Sequence, residues 1–306
     1  MRPVSALSTY EVSTQLRQGT FRIRVGPYTY RLTSNLPQIG AGISRLYADF
    51  PMVEDRAFDD FNVGMTISGM ASRLRGRANF LFDYQSRFGS IPVAQVYAFM
   101  EWGMNWCISL HCNEYLKLHA AAVARNGSTI IMPGVPGAGK STLCAAMGLS
   151  GWRVLSDEHA MIVPGSADIV PLCRPVSLKN ESIQVIRGFD ANAVIGPVSE
   201  DTHKGSVAHM KADLAPDSHD ASPITANIML FPRYSKEEPQ RLSPRRRTTS
   251  FVLAAYHSFN YSLLGDFGFH AMRCLIDKVE CYDLVYHDLD WALHAIGDLH
   301  EQVRTR

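Results

Sequence analysis

The stretch GVPGAGKS occupies residues 134–141 and fits the pattern G-x-x-x-x-G-K-[S/T] at every specified position. An apolar run, TIIM at 129–132, precedes it, and a helix-forming segment follows it. The glycines allow a tight turn whose amide groups point at phosphate oxygens, and the N-terminus of the following helix favours the same anion. We therefore predict a nucleotide triphosphate site formed by nine residues: Gly134, Val135, Pro136, Gly137, Ala138, Gly139, Lys140, Ser141 and Thr142.

Three residues of this loop have distinct expected roles. Lys140 reaches the β- and γ-phosphates, the Ser141 hydroxyl binds Mg²⁺, and Thr142 supports the α-phosphate side by analogy with other phosphate loops. The loop by itself serves motors, GTP switches, transporters and several kinds of kinase. Residues outside the loop must therefore indicate which of these classes of protein the chain belongs to.

Composition limits the class of protein. The chain has 306 residues, 46% hydrophobic and 19% charged, which fits one large or two modest globular domains. Its net charge of +1 argues against a nucleic-acid partner. The six cysteines show neither a C-x-x-C pair nor zinc-like spacing, so we expect free thiols in a reducing cytoplasm.

The most apolar long stretch, residues 93–118, is interrupted by Glu101, His111, Asn113 and Glu114. We expect a buried amphipathic helix there and no membrane span. The first nineteen residues lack the apolar core of a signal peptide, which also fits a cytoplasmic location.

The periodicity of the chain predicts a small β-rich N-terminal domain over residues 1–90, a connecting helix over 91–116 and an α/β domain over 117–306. Alternating residues predict a hairpin from FRIRV (21–25) and YTYRL (28–32), with further strands at 62–68 and 77–84. In the last domain, predicted strands and helices interleave around the phosphate loop. Residues 188–222 carry no strong period, and we predict a long functional loop there.

Two segments flank the phosphate loop in a specific arrangement: LHAAAVARNG, which contains His119, and GWRVLSDE at 151–158, which contains Asp157. This constellation resembles the HPr kinase/phosphorylase family, whose fold is related to that of the ATP-dependent phosphoenolpyruvate carboxykinases, and in particular the HPr-related kinase A subgroup. The resemblance extends over about residues 115–306 and includes four further segments: RPVSLKNESI (174–183), KGSVAH (204–209), FPRY (231–234) and SFNY (258–261).

The resemblance implies a P-loop kinase core and gives several residues a role. Asp157 matches the carboxylate that takes the proton from the acceptor hydroxyl, and His119 matches the histidine that assists it. Ser141 matches the Mg²⁺ ligand. The family's downstream metal-binding Glu is absent from the corresponding segment, VIRG at 185–188. We therefore name Glu181 as the candidate metal ligand in its place. The family's pattern is also changed at three positions: Ala120, Trp152 and Glu158.

Less specific interpretations of these side chains remain open. Asp157 could be a strand-end acid or a helix-cap residue, and His119 could be a core histidine or could tune the pKa of Asp157. Four cations could neutralise phosphate or substrate charge, although each also fits a solvated surface: Lys179, Arg187, Lys204 and Arg233. The run Arg245–Arg247 fits a solvated face or an acidic partner.

These observations predict an ATP- and Mg²⁺-dependent kinase that phosphorylates a hydroxyl, most simply a serine of a small protein or peptide. The resemblance further implies a peptide-binding partner of the PqqD type and a homo-oligomer. Two alternatives stay open: a kinase for a small molecule such as free serine or a sugar, and a nucleotide-binding regulator with little transferase activity.

Overall fold

The computed structural model describes residues 1–53 and 58–305. Its helices are α1 (Thr9–Gln18), α2 (Pro37–Leu46), α3 (Gly69–Leu74), α4 (Val96–His111), α5 (Lys140–Leu149), α6 (Glu181–Phe189), α7 (Arg247–Tyr256), α8 (Tyr261–Leu264), α9 (Asp266–Lys278) and α10 (Leu289–Arg304). Its strands are β1 (Phe21–Val25), β2 (Tyr28–Ser34), β3 (Phe61–Thr66), β4 (Arg77–Phe82), β5 (Gln85–Ser86), β6 (Ile91–Pro92), β7 (Leu116–Arg125), β8 (Ser128–Pro133), β9 (Arg153–Ser156), β10 (His159–Ile162), β11 (Asp168–Val170), β12 (Val176–Lys179), β13 (Ser199–Thr202), β14 (Gly205–Met210), β15 (Ile224–Thr225), β16 (Ile228–Tyr234), β17 (Arg241–Pro244) and β18 (Glu280–Tyr286).

The chain therefore has the predicted mixed α/β composition, and it forms two compact units. The first unit comprises residues 1–108 and 177–213, and the second comprises 109–176 and 214–306. This grouping is discontinuous, whereas the division predicted from the sequence was contiguous. Among the described residues, no helix is long and apolar enough to cross a membrane.

The first unit contains a six-stranded sheet with the order β1-β2-β3-β4-β5, in which β6 also pairs with β4. The predicted hairpin of β1 and β2 is confirmed, because Phe21 pairs with Leu32 and Val25 with Tyr28. Helix α4 confirms the predicted helix in the apolar stretch. Its Glu101 is buried, and the carboxylate accepts hydrogen bonds from Tyr47 Oη (2.9 Å) and Tyr97 Oη (2.8 Å).

Two features of the first unit differ from the sequence-based expectation. The interpretation of residues 1–90 as a β-rich domain overlooked α1, α2 and α3. Helix α1 begins at a capping box, in which Ser8 and Glu11 bond each other's backbone amides. The predicted long loop at 188–222 is wrong, because β13 and β14 lie within it and pair antiparallel. Strand β13 lies at the edge of its three-stranded sheet and consists of polar residues, so it lacks the alternation that marks a half-buried strand.

The second unit is built on a nine-stranded sheet with the order β15-β11-β10-β7-β8-β16-β18-β17, and β9 also pairs with β7. Strands β8, β16 and β18 are parallel, so their carboxyl ends meet at one edge. The residues of β7 are buried on both faces, which is typical of a sheet covered by helices on both sides. Residues of α7 and α9 share one hydrophobic cluster with alternate residues of β7.

Candidate functional site

The predicted phosphate loop joins β8 to α5 at the carboxyl edge of the sheet. Gly137 and Gly139 have φ angles of 87° and 89°, in the left-handed region that favours glycine. Lys140 is the first residue of α5 and is 6% exposed. Its Nζ donates to the carbonyl oxygens of Gly134 (2.5 Å) and Val135 (3.0 Å). The ammonium group therefore lies within the loop, beside the N-terminal amides of α5, where an anion is favoured.

The ends of the parallel strands β16 and β18 form hydrogen bonds with the loop. Tyr286, at the end of β18, is buried and donates from Oη to the carbonyl of Gly139 (3.2 Å). The backbone amide of Tyr234, at the end of β16, donates to the carbonyl of Ala138 (3.2 Å). The two tyrosine rings pack edge to face with centroids 5.7 Å apart. Burial raises the pKa of Tyr286, so its hydroxyl stays a hydrogen-bond donor.

The pairing of β7 with its neighbouring strands places Asp157 near this loop. Strand β7 pairs with β9 at Ala122–Ser156 and with β10 at His119–His159, so Asp157 and Glu158 interrupt one strand that runs along β7. The amide of Ala120 still donates to the carbonyl of Glu158 (3.2 Å).

On its other side, β7 pairs with β8. Ala121, which lies opposite the interruption, is the partner of Met132, and Ala120 is the partner of Pro133. With strands about 4.8 Å apart, the backbone at Asp157 lies about 10 Å from the end of β8, where the phosphate loop begins.

A second observation places the Asp157 carboxylate near α5. After burial, the charge of Asp157 is the next cause that raises the pKa of Cys144, which lies one turn along the helix from Lys140. The Cys144 thiol is 3.8 Å from the carbonyl oxygen of Ser156. Asp157 is half-buried, and its Oδ1 is buried. The structure thus brings Asp157, Lys140 and Ser141 to one end of α5.

His119 lies on the same strand that aligns Asp157 with the loop. It is half-buried, its amide donates to the carbonyl of His257 (2.6 Å), and its ring packs against Phe259 with centroids 5.5 Å apart. Its register partner is His159. His119 is therefore close to the site that contains Asp157, although its side chain packs partly in an aromatic cluster.

The remaining predicted residues belong to the first unit or form other contacts. Glu181 is the exposed first residue of α6 in the first unit, which also contains Lys179, Arg187 and Lys204. Arg233 forms an ion pair with Glu238. In the described part of the chain, no group of three or more His, Cys, Asp or Glu side chains could hold a metal ion. A Mg²⁺ ion bound mainly through phosphate oxygens, water and a serine hydroxyl does not require such a group.

The three arginines of residues 245–247 are not equivalent. Arg245 pairs with Asp283 (2.5 Å), and its guanidinium lies 4.7 Å from the ring centroid of Phe231. Arg246 and Arg247 are exposed at the start of α7. The expectation of a solvated face therefore fits Arg246 and Arg247.

A family model described as "ScmC: SynChlorMet cassette protein ScmC" matches residues 98–171. The matched segment is less than half of the chain. It contains the whole phosphate loop, His119 and Asp157. No curated protein matches the chain.

Two residues of the site were not predicted from the sequence: His257 and Tyr286. Burial and the nearby charge of Lys140 lower the pKa of His257, which places its imidazole close to the phosphate loop. It precedes SFNY, the segment that the family resemblance includes, so that segment could have drawn attention to it. Tyr286 lies 147 residues after its partner Gly139, and no local pattern marks it.

A buried polar cluster fixes the segment after α7 onto β7. Lys117 is fully buried, and its Nζ donates to the carbonyl of Ser109 (2.7 Å) and to Asn113 Oδ1 (3.2 Å). Asn260 Oδ1 accepts from the amide of Lys117 (2.9 Å). His159 Nε2 is 2.8 Å from Ser109 Oγ, and burial lowers the pKa of His159 to about 4. The cluster holds neutral and charged polar groups in place beside His119.

Proposed function

We propose that this chain is an ATP- and Mg²⁺-dependent kinase with a P-loop core of the HPr kinase type, which transfers the γ-phosphate to a serine hydroxyl of a small protein or peptide. The observation that carries the proposal is the strand register. It aligns the Asp157 break with the start of the phosphate loop across a single intervening strand. Phosphoryl transfer requires a phosphate cradle and a nearby group that accepts the hydroxyl proton. We assign these two parts to the loop and to Asp157, and the register supports the assignment because it aligns them.

In this proposal the loop amides and the Lys140 ammonium bind the β- and γ-phosphates. The Ser141 hydroxyl is a ligand of the ion that neutralises phosphate charge. Asp157 accepts the proton of the acceptor hydroxyl as that oxygen bonds to the γ-phosphorus and the bond from phosphorus to the ADP oxygen breaks. His119 positions or polarises Asp157, and His257 adds a polar group beside Lys140. Glu181 stays a candidate metal ligand from the family resemblance.

The choice of a polypeptide acceptor over a small molecule rests on the family resemblance. A PqqD-like peptide carrier and a homo-oligomer belong to this proposal through the family resemblance. A small-molecule kinase and a nucleotide-binding regulator are the alternatives that the following experiment separates.

The test incubates the protein with ATP, Mg²⁺ and the products of neighbouring genes, and identifies phosphorylated products by mass spectrometry. We expect Asp157→Asn to bind ATP as tightly as the wild type and to lose about 10²- to 10⁴-fold in transfer rate, because the general base is removed. Asp298→Asn, which changes an exposed carboxylate of α10, is the matched control and should keep full activity.

Full transfer by Asp157→Asn would rule out Asp157 as the base. Phosphorylation of free serine or a sugar alone would favour the small-molecule kinase. ATP binding without any transferred phosphate would favour the regulator.

A further inference from the structure

Helices α7, α8 and α9 and the segments between them expose several large apolar side chains. Val252 and Tyr256, one turn apart on α7, are 68% and 79% exposed, and Leu263 and Phe267 are 72% and 76% exposed. Phe259 and Phe269 are also exposed. We call these six residues the α7–α9 patch. Scattered exposed apolar residues are ordinary, but six within the eighteen positions from 252 to 269, across three consecutive helices, indicate an interaction surface.

The patch lies on a packed scaffold. Phe251 packs against Phe269 (5.5 Å between centroids) and against Tyr261 (6.2 Å). At Gly268 an added Cβ would lie 2.5 Å from the carbonyl oxygen of Tyr261, so α8 and α9 are in close contact there. The exposed side chains are therefore presented by helices that are already in place, which lowers the entropy cost of binding a partner.

The patch is continuous with the phosphate site. The ring of Tyr256 packs on that of His257 (5.2 Å), and the backbone carbonyl of His257 accepts from the amide of His119. Phe259 stacks on His159 (4.6 Å) and also contacts the ring of His119. A molecule that covered the patch would therefore extend toward the residues proposed to receive the acceptor hydroxyl.

The charged residues around the patch are mainly basic. Residues 245–278 contain four arginines and one lysine, at positions 245, 246, 247, 273 and 278, and two carboxylates, Asp266 and Asp277. Arg246, Arg247 and Arg273 are exposed. A partner that complements this surface is apolar on one face and acidic around it.

Resting on the proposed kinase function, we propose that the α7–α9 patch docks an acidic amphipathic segment of the polypeptide acceptor and so delivers its serine to Asp157. A second copy of this chain is a poorer match. An isologous contact through the patch would bring the exposed arginines of both copies together. Delivery of an acceptor also accounts for the position of the patch beside His119, which a membrane surface would not require.

The test measures fluorescence anisotropy of a fluorescein-labelled synthetic peptide made of Leu, Phe and Glu, with a second peptide in which Lys replaces Glu. We expect the wild-type protein to bind the acidic peptide. The double variant Tyr256→Ser/Phe267→Ser should bind it about tenfold more weakly, because two central apolar contacts are lost. Arg246→Ser/Arg247→Ser should also weaken binding and reduce its dependence on salt.

Leu74→Ser, at a residue of α3 that is 81% exposed, is the matched control and should bind like the wild type. The assay needs no nucleotide, so Asp157→Asn should also bind normally. Normal peptide binding in a chain that transfers no phosphate to any acceptor would refute the kinase function and leave a peptide-binding surface.

Three results would overturn the docking proposal. The first is equal binding of the acidic and basic peptides, or equal binding by wild type and Tyr256→Ser/Phe267→Ser. The second is a dimer, seen by sedimentation velocity, that Tyr256→Ser/Phe267→Ser abolishes, because the patch would then be a self-interface. The third is patch-dependent binding to phosphatidylserine vesicles without binding of the peptide, because the occupant would then be a lipid surface.

Discussion

At the scale of single residues, Gly139 has two independent requirements. Its φ of 89° is strained for any residue with a side chain, and an added Cβ would lie 2.4 Å from Tyr286 Oη. Gly137 has a similar φ of 87°, but nothing lies within 4 Å of an added Cβ. A comparison of substitutions at the two glycines therefore distinguishes the cost of backbone strain from the cost of a clash with Tyr286.

We predict that Gly139→Ala reduces both stability and ATP affinity more than Gly137→Ala. Gly137→Ala should cost about 1–2 kcal/mol of left-handed strain, whereas Gly139→Ala adds the clash with Tyr286. The double variant Gly139→Ala/Tyr286→Phe should recover part of the difference, because it removes the clashing oxygen. Urea denaturation and ATP titration measure the two effects. Equal losses in the two single variants would contradict the role assigned to Tyr286.

The sequence predicted the glycines of the loop because their spacing is local to eight residues. It could not predict Tyr286, whose contact with Gly139 depends on how β18 aligns beside β16. Similarly, Asp157 was identified by resemblance, but its distance from the loop follows from long-range strand pairing. The register of a strand depends on which of its faces is buried in the folded sheet, and this cannot be derived from a single sequence.

At the scale of elements, β7 organises the site. It pairs with β8, β9 and β10 and also bridges Leu118 to Ser258, so one strand positions the phosphate loop, Asp157 and the segment after α7. The polar cluster of Lys117, His159 and Asn260 holds that last segment in place. The apolar run of β7 was readable from the sequence, but its partners were not.

The cluster predicts a pH-dependent stability. Burial lowers the pKa of His159 from 6.5 to about 4, so the unfolded chain binds this proton first as the pH falls. The stabilisation is complete above pH 6.5 and is lost as the pH falls toward 4. Between pH 7 and pH 5 the loss is on the order of 2 kcal/mol.

Urea denaturation at both pH values measures this loss, and His159→Gln should lack it, since glutamine does not titrate. Carboxylates that titrate in both proteins cancel in the comparison. An unchanged pH dependence in His159→Gln would show that His159 does not cause it.

At the scale of the whole molecule, the chain leaves and re-enters each compact unit. Residues 177–213 belong to the first unit because they contact it repeatedly: Lys211 pairs with Asp49, and Gln95 Nε2 donates to the carbonyl of Asp201 (2.9 Å). A contiguous division was the natural expectation from the sequence, because no composition change marks residue 177 or 213. Such tertiary contacts between distant segments decide the grouping.

If the loop binds nucleotide, the whole molecule should be stabilised by MgATP. At a concentration about 100-fold above Kd, binding adds roughly 2.7 kcal/mol to the free energy of unfolding. We expect differential scanning fluorimetry to show a higher unfolding temperature with MgATP for the wild type and no increase for Lys140→Ala. The Leu74→Ser variant should respond like the wild type. An equal increase in Lys140→Ala would place the nucleotide elsewhere.

The interruption at Asp157 and Glu158 restricts how this chain can change. Its two residues keep Ser156 and His159 paired with β7 on either side. One residue more or fewer would turn every side chain of β10, all of which are buried, to the opposite face and would move His159 out of its cluster. The length of this segment therefore cannot change without displacing β10. Insertions and deletions should be tolerated instead at the solvent-exposed turn of residues 126–127.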